Sequence, residues 1–357
     1  MPHMSVSRGL VAGLSASLLL FAGGATATAA PIDVPWSPDA AVDTEVEFVS
    51  DGITFYGSLR PAIGESRGAA LLLPGSGPID RNGNAAAGNI TPNTISYIAD
   101  ALAQRGITTL RFDKIGTGRT GTEGLDPANL PGFTEQVDAA EAAAALLSDK
   151  TGATGDNFAV LGHSEGGLTA LALADRGVDV GNLGLLAPLS IRYFDLLHAQ
   201  LNRNLDLAVS TGQATPADAD QVRARLDETI TALRAGEPLP YPDDEFLAPV
   251  GFDDASAEFL TEADALDPAV LAGALPSSTD VLLTCSDKDL NVSCGQTDVL
   301  AEALAGTDVD YARFANSSHM LSELGPLPAT GFDIYAPLPQ SSEFRGALDA
   351  WADSAFA

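Results

Sequence analysis

One hexapeptide constrains this chain more than any other stretch: Gly162-His163-Ser164-Glu165-Gly166-Gly167. It follows Asn157–Leu161, a short apolar run of strand type. It precedes an apolar segment, from about Gly166 to Ala174, with helical spacing. Strand, Gly-x-Ser-x-Gly, helix is the context of a nucleophile elbow. Small residues on both flanks permit a strained turn that lifts a serine hydroxyl clear of a sheet. The helix that follows offers N–H groups and a positive dipole end to a developing oxyanion.

Such a turn needs a buried sheet, and the surrounding pattern supplies one. Glu45–Ser50 and Ile53–Arg60 read as strands joined by Asp51-Gly52, a hairpin signal. Gly68–Leu73, Thr108–Asp113, 157–161 and Leu183–Leu186 read as further strands. Helical patterns at 93–105, 133–147 and 166–174 alternate with them. Buried, non-alternating strands interleaved with helices predict a mostly parallel sheet covered on both faces. From Ile191 to about Ala274 only helical patterns and loops occur, broken by Pro238, Pro240 and Pro242. The rhythm then resumes with a strand at 280–284, a helix at 299–304, a strand at 308–314 and a C-terminal helix at 343–355. At 357 residues, the soft prior is roughly two domains. The pattern instead predicts one α/β domain, 30–190 and 276–357, with a helical cap, 191–275, inserted after the sixth of eight strands.

A triad built on Ser164 runs in the chain order Ser, acid, His. Four histidines are available. His3 falls in the N-terminal leader, His163 adjoins the serine, and His198 lies on a helix of the insertion. His319 follows the last strand and is the expected base. The acid is expected after the strand at 280–284. Asp287 and Asp289 both qualify there, and Asp289, deeper in the loop and followed by Leu290-Asn291-Val292, is preferred. The oxyanion hole is expected from the Glu165 N–H and the Ser76 N–H, with Gly75 as the alternative, in the loop Leu73-Pro74-Gly75-Ser76-Gly77.

With these residues in view, the chain resembles the α/β-hydrolase superfamily, and within it bacterial serine carboxylesterases with a Gly-His-Ser-Glu-Gly-Gly elbow. Four further segments carry the resemblance: Gly75-Ser76-Gly77-Pro78-Ile79-Asp80-Arg81-Asn82-Gly83, Arg111-Phe112-Asp113-Lys114-Ile115-Gly116-Thr117-Gly118, Asp264-Ala265-Leu266-Asp267-Pro268, and the acid segment 280–292. Pro74, Ile115, Thr120 and the Asn316-Ser317-Ser318 run before His319 depart from the pattern. Arg81 reads as a surface salt-bridge partner or, alternatively, as a structural or substrate-contacting residue.

Residues 1–29 read as a cleavable secretory signal. Arg8 is the only charge before Asp33, Leu10–Ala22 is apolar, and Ala27-x-Ala29 is a cleavage pattern. The apolar part is too short to span a bilayer. Export places Cys285 and Cys294, the only cysteines, in an oxidising compartment and predicts a disulfide between them. The location expected is extracellular or in the cell envelope of a bacterium. Sequons at Asn89, Asn291 and Asn316 read as coincidental.

Eighteen basic residues against 48 acidic ones give a net charge of −30. Such a surface repels phosphate backbones and anionic headgroups, which argues against nucleic-acid or membrane-surface partners. No phosphate loop, dinucleotide fingerprint or metal-ligand spacing occurs, so no cofactor or metal is expected. The function expected is a secreted serine esterase acting on small ester substrates of short to medium acyl chain. An exopeptidase or amidase, an acyltransferase, and a non-catalytic binding protein on the same scaffold are the alternatives.

Overall fold

The computed structural model describes residues 42–126, 130–331, 333–336 and 338–357. The expected signal segment, 1–29, lies outside the described residues.

Eight strands form one sheet, in the order β1-β2-β4-β3-β5-β6-β7-β8. Strands β1 (Thr44–Ser50) and β2 (Ile53–Arg60) form an antiparallel hairpin. Its turn residues Asp51 and Gly52 have φ of 49° and 77°, as a tight two-residue turn matched to strand twist requires. β2 also runs antiparallel to β4 (Ile107–Phe112). From there the sheet is parallel through β3 (Gly68–Leu73), β5 (Gly155–His163), β6 (Val180–Leu186), β7 (Asp280–Ser286) and β8 (Asp308–Phe314). Every residue of β3 and β4 is buried, which is why these runs do not alternate in polarity.

Successive side chains feed opposite layers. Ala70, Leu72, Ala159 and Leu161 pack against α1 (Thr94–Ala103) and the C-terminal helix α9 (Ser342–Ala355), with Ile95, Ile98, Phe344 and Trp351. Leu71, Leu73 and Val160 pack on the other side. There they meet α2 (Phe133–Thr151) and α3 (Glu165–Asp175), through Phe133, Val137, Leu168 and Leu171.

Between β6 and β7 the chain forms α4 (Tyr193–Ser210), α5 (Pro216–Arg234), α6 (Ala257–Ala265) and α7 (Pro268–Gly273). Thr215 and Asp218 form a capping box with Pro216 in the first turn of α5, and Asp267 caps α7 ahead of Pro268. Helix α4 packs on α5 and α6. Helix α6 also touches α2, and α7 rests on α3 and on α8 (Cys294–Ala303). Helix α8 begins five residues before the apolar spacing at 299–304 suggests, because Ser293 and Gln296 form a reciprocal capping box. Among the described residues no helix is long and apolar enough to cross a membrane.

Candidate active site

The C-terminal ends of β3, β5, β7 and β8 converge on Ser164. This residue sits between β5 and α3 with φ 55° and ψ −119°. For a side chain larger than glycine that conformation costs about 1–3 kcal/mol. The surrounding glycines make it feasible. A Cβ on Gly162 would lie 2.0 Å from the Gly166 carbonyl oxygen, and one on Gly166 would lie 2.5 Å from that of Leu73. The turn is held by Ser164 N–H donating to the Leu186 carbonyl and Leu189 N–H donating to the Ser164 carbonyl, both at 3.0 Å.

His319 lies in the loop after β8. Its Nε2 is 3.1 Å from Ser164 Oγ, and its Nδ1 is 2.7 Å from Asp289 Oδ2. All three residues are buried. A carboxylate accepts only, so Nδ1 carries the proton and Nε2 turns its lone pair to the serine hydroxyl. Asp289 is fixed in turn by its other oxygen, which accepts from Asn291 N–H at 2.7 Å and Val292 N–H at 2.9 Å. The fold brings Asp289, and not Asp287, to His319; Asp287 is exposed and pairs with Arg313 at 2.7 Å. A disulfide joins Cys285 to Cys294 across this loop. The unusual serines before His319 have structural work. Ser286 Oγ donates to the Ser317 carbonyl at 2.5 Å, and the Ser317 and Ser341 hydroxyls are 2.6 Å apart.

The remaining histidines separate cleanly. His163 Nε2 donates to the His319 carbonyl at 2.8 Å, and its ring packs 4.9 Å from that of His319. Burial, and secondarily the neighbouring His319, push its pKa down to about 3. His163 is therefore neutral and supports the loop that carries His319. His198 pairs with Asp227 at 3.0 Å on the outside of α4 and α5. His3 lies outside the described residues.

Ser76 and Glu165 both line the cavity in front of Ser164. Glu165 is the first residue of α3, so its N–H has no carbonyl four residues back within the helix. Gly75 brings the other loop close: a Cβ there would be 3.2 Å from Ser164 Cβ. Ile79, Ile90 and Ile95 line one side of the cavity. Leu189, Leu196, Leu197 and Val250, after β6 and from the insertion, line another, with Met320 beside His319. Gln200 of α4 donates to the Asn291 carbonyl at 3.0 Å, linking the insertion to the acid loop.

Three neighbours of the site were not evident from the sequence. The fully buried Glu165 carboxylate accepts from Lys114 Nζ at 3.1 Å, Gln136 Nε2 at 3.0 Å and the Tyr193 hydroxyl at 2.8 Å. Burial and the Glu165 charge raise the Tyr193 pKa well above its ordinary value, so it stays a donor. The available signal was Lys114 itself, a cation two residues after a strand that is buried along its whole length. Arg81 also differs from its expected surface placement. It is buried, its Nη2 lies 2.6 Å from Asp113 Oδ2, and its N–H donates to Asp113 Oδ1 at 3.0 Å. Adjacency of β3 and β4 puts the loops after both strands in contact, so the 75–83 and 111–118 segments lock together. Among the described residues no cluster of His, Cys, Asp or Glu could hold a metal ion.

The profile of the serine aminopeptidase S33 family matches residues 91–323. No curated protein matches by sequence. Several solved structures share the architecture. An esterase from Pyrococcus furiosus is 12% identical over 93% of this chain and 99% of its own, with a TM-score of 0.54. A thermostable carboxyl esterase from Bacillus coagulans, solved with glycerol, is 15% identical over 88% and 99%, with a TM-score of 0.55. A lipase in an open form is 17% identical over 88% and 99%, also with a TM-score of 0.55. At such identities the likeness is one of fold.

Proposed function

The chain belongs to the serine aminopeptidase S33 family, of α/β-hydrolase fold, and on that premise we propose that it hydrolyses carboxylic esters of short to medium acyl chain. The observation that carries this reading is the relay from Asp289 Oδ2 to His319 to Ser164 Oγ, with links of 2.7 and 3.1 Å, ending on a serine held at φ 55°. His319 Nε2 takes the hydroxyl proton as Ser164 Oγ attacks the acyl carbon. The Glu165 and Ser76 N–H groups receive the oxyanion. His319 then returns its proton to the leaving alcohol, and a water, deprotonated by the same ring, releases the acid. Asp289 holds the tautomer and stabilises the imidazolium without taking the proton. Neutral His163 adds no second positive charge beside it.

An ester is favoured over a peptide N-terminus by the cavity lining. Its sole carboxylate among the described residues is Glu165, whose oxygens are taken by Lys114, Gln136 and Tyr193. Nothing else negative lines it to receive an α-ammonium. The isoleucines and leucines suit an acyl chain, and the net charge of −30 disfavours anionic substrates. The insertion serves as a cap over this cavity. Export through the leader at 1–29 fits the disulfide, which suits an oxidising compartment.

A panel of p-nitrophenyl esters from acetyl to palmitoyl, run beside aminoacyl-anilides, tests the reading. Turnover of esters up to medium chain length, with anilides slower by at least about a hundredfold, is expected. Anilide cleavage at comparable kcat/KM would replace the esterase reading with an exopeptidase one.

A further inference from the structure

The oxyanion hole is expected to use two N–H groups from segments 89 residues apart in sequence, Ser76 and Glu165. One buried side chain touches both segments. Lys114 Nζ donates to the Gly75 carbonyl at 2.9 Å and to Glu165 Oε1 at 3.1 Å. The Gly75 carbonyl and the Ser76 N–H belong to the same peptide unit. Such a unit is planar, and in the trans form its C=O and N–H point in opposite directions. Among the described residues no peptide bond is cis. Holding the carbonyl on an ammonium therefore aims the Ser76 N–H away from Lys114, and Ser76 lines the cavity in front of Ser164. A charge-assisted bond to the carbonyl also polarises the amide and strengthens its N–H as a donor.

A second donor holds the same carboxylate. Tyr193, at the start of α4, donates to Glu165 Oε2 at 2.8 Å. The path Gly75, Lys114, Glu165 thus ties the loop after β3 to the first residue of α3. Lys114 is itself fixed by the turn after β4. Its carbonyl accepts from the Thr117 N–H and hydroxyl, at 3.0 and 2.8 Å, and the adjacent Asp113 carboxylate accepts from the Arg81 and Arg119 N–H groups. The side chains of Lys114 and Glu165 are 9% and 0% exposed. Desolvating two charges is costly, and a well-packed apolar pair is often at least as stable. Stability alone is a weak reason for an ion pair here.

We infer that Lys114 is a positioning residue for the oxyanion hole: it orients and polarises the Gly75–Ser76 peptide while its pairing with Glu165 sets the distance between the two donors. The inference rests on the esterase reading. It predicts a rate role separable from a structural one. In Lys114→Met the Glu165 charge is left unpaired, and both Tm and kcat fall. In the double variant Lys114→Met with Glu165→Gln no buried charge is stranded, and Tm returns toward wild type. The Gly75 carbonyl still lacks its ammonium, so kcat stays at least about tenfold down with KM within about threefold. An aryl trifluoromethyl ketone, which forms the oxyanion on binding, should lose affinity in the double variant by a factor similar to the kcat loss.

Wild-type kcat and ketone affinity in a folded double variant would overturn the inference, as would failure of both variants to fold, which would make the network architectural. If the wild-type chain turns over no ester and binds no ketone, the esterase reading fails instead. An active wild type with equally active variants sinks this inference alone.

Discussion

Two carboxylates, Glu165 at the end of the sheet and Asp264 in the insertion, have side chains 0% and 2% exposed, yet their surroundings differ in kind. Asp264 meets Arg192 at 2.7 Å and Arg234 at 2.9 Å, with arginine side chains 38% and 31% exposed, and accepts from the Phe194 N–H at 2.8 Å. Asp264 is the main cause that raises the Arg234 pKa. These cations keep much of their hydration, and the contacts tie the ends of α4, α5 and α6 together. Glu165 has a buried ammonium, a buried phenol and an amide as partners, and sits next to Ser164. The first arrangement holds helices together at modest cost. The second is a costly place for charge and makes sense where the position of a backbone N–H decides a rate. Of these two clusters, the one whose cation is also buried is the one that adjoins Ser164.

The comparison predicts that changes at the sheet end alter rate and changes at the Asp264 cluster alter stability. The largest effect is expected from Asp289→Asn. An amide there favours the wrong His319 tautomer, and kcat should fall about 10⁴-fold with little change in Tm. A loss under tenfold, from steady-state ester kinetics, would remove Asp289 from the relay.

A smaller effect concerns His163, whose folded pKa of about 3 lies below the ordinary value of 6.5. Between pH 6.5 and 3 the unfolded chain binds a proton at this residue that the folded chain refuses. Folding stability is therefore lost as pH falls through that window, by up to about 1.4 kcal/mol per pH unit. His163→Gln keeps an N–H for the His319 carbonyl and removes the titrating ring. Urea unfolding from pH 6.5 to 4 should show a shallower slope in this variant. Identical slopes would contradict a neutral, buried His163.

The smallest effect is expected from Asp264→Asn, about 1–2 kcal/mol, because both arginines are partly hydrated. Tm should drop by a few degrees while kcat per folded molecule stays within about twofold. A large kcat loss at unchanged Tm would erase the distinction between the two clusters.

The parts legible from sequence were those carried by local pattern. The elbow was legible because Gly162, Gly166 and Gly167 flank Ser164 between a strand and a helix. Chain order then picked out Asp289 and His319; the fold brings Asp289 within hydrogen-bond distance of His319, and His319 within hydrogen-bond distance of Ser164. The disulfide was legible because two cysteines bracket one loop. Contacts made by sheet order were not. Arg81 meets Asp113 and Lys114 meets Glu165 only because β3 lies between β4 and β5. No periodicity within either segment encodes that adjacency. Tyr193 was hidden in the same way, since the helical spacing of α4 reads as ordinary packing against a core.

The central claim is that Ser164 is an activated nucleophile on a rigid elbow. Intact-mass and peptide mapping after treatment with a fluorophosphonate tests it most directly. One phosphonyl group is expected, on the peptide bearing Ser164, at a rate that falls when a p-nitrophenyl ester competes. Ser164→Ala, with Tm at or above wild type, should neither label nor turn over ester. Labelling elsewhere in the wild type, or ester turnover surviving in Ser164→Ala, would contradict the account.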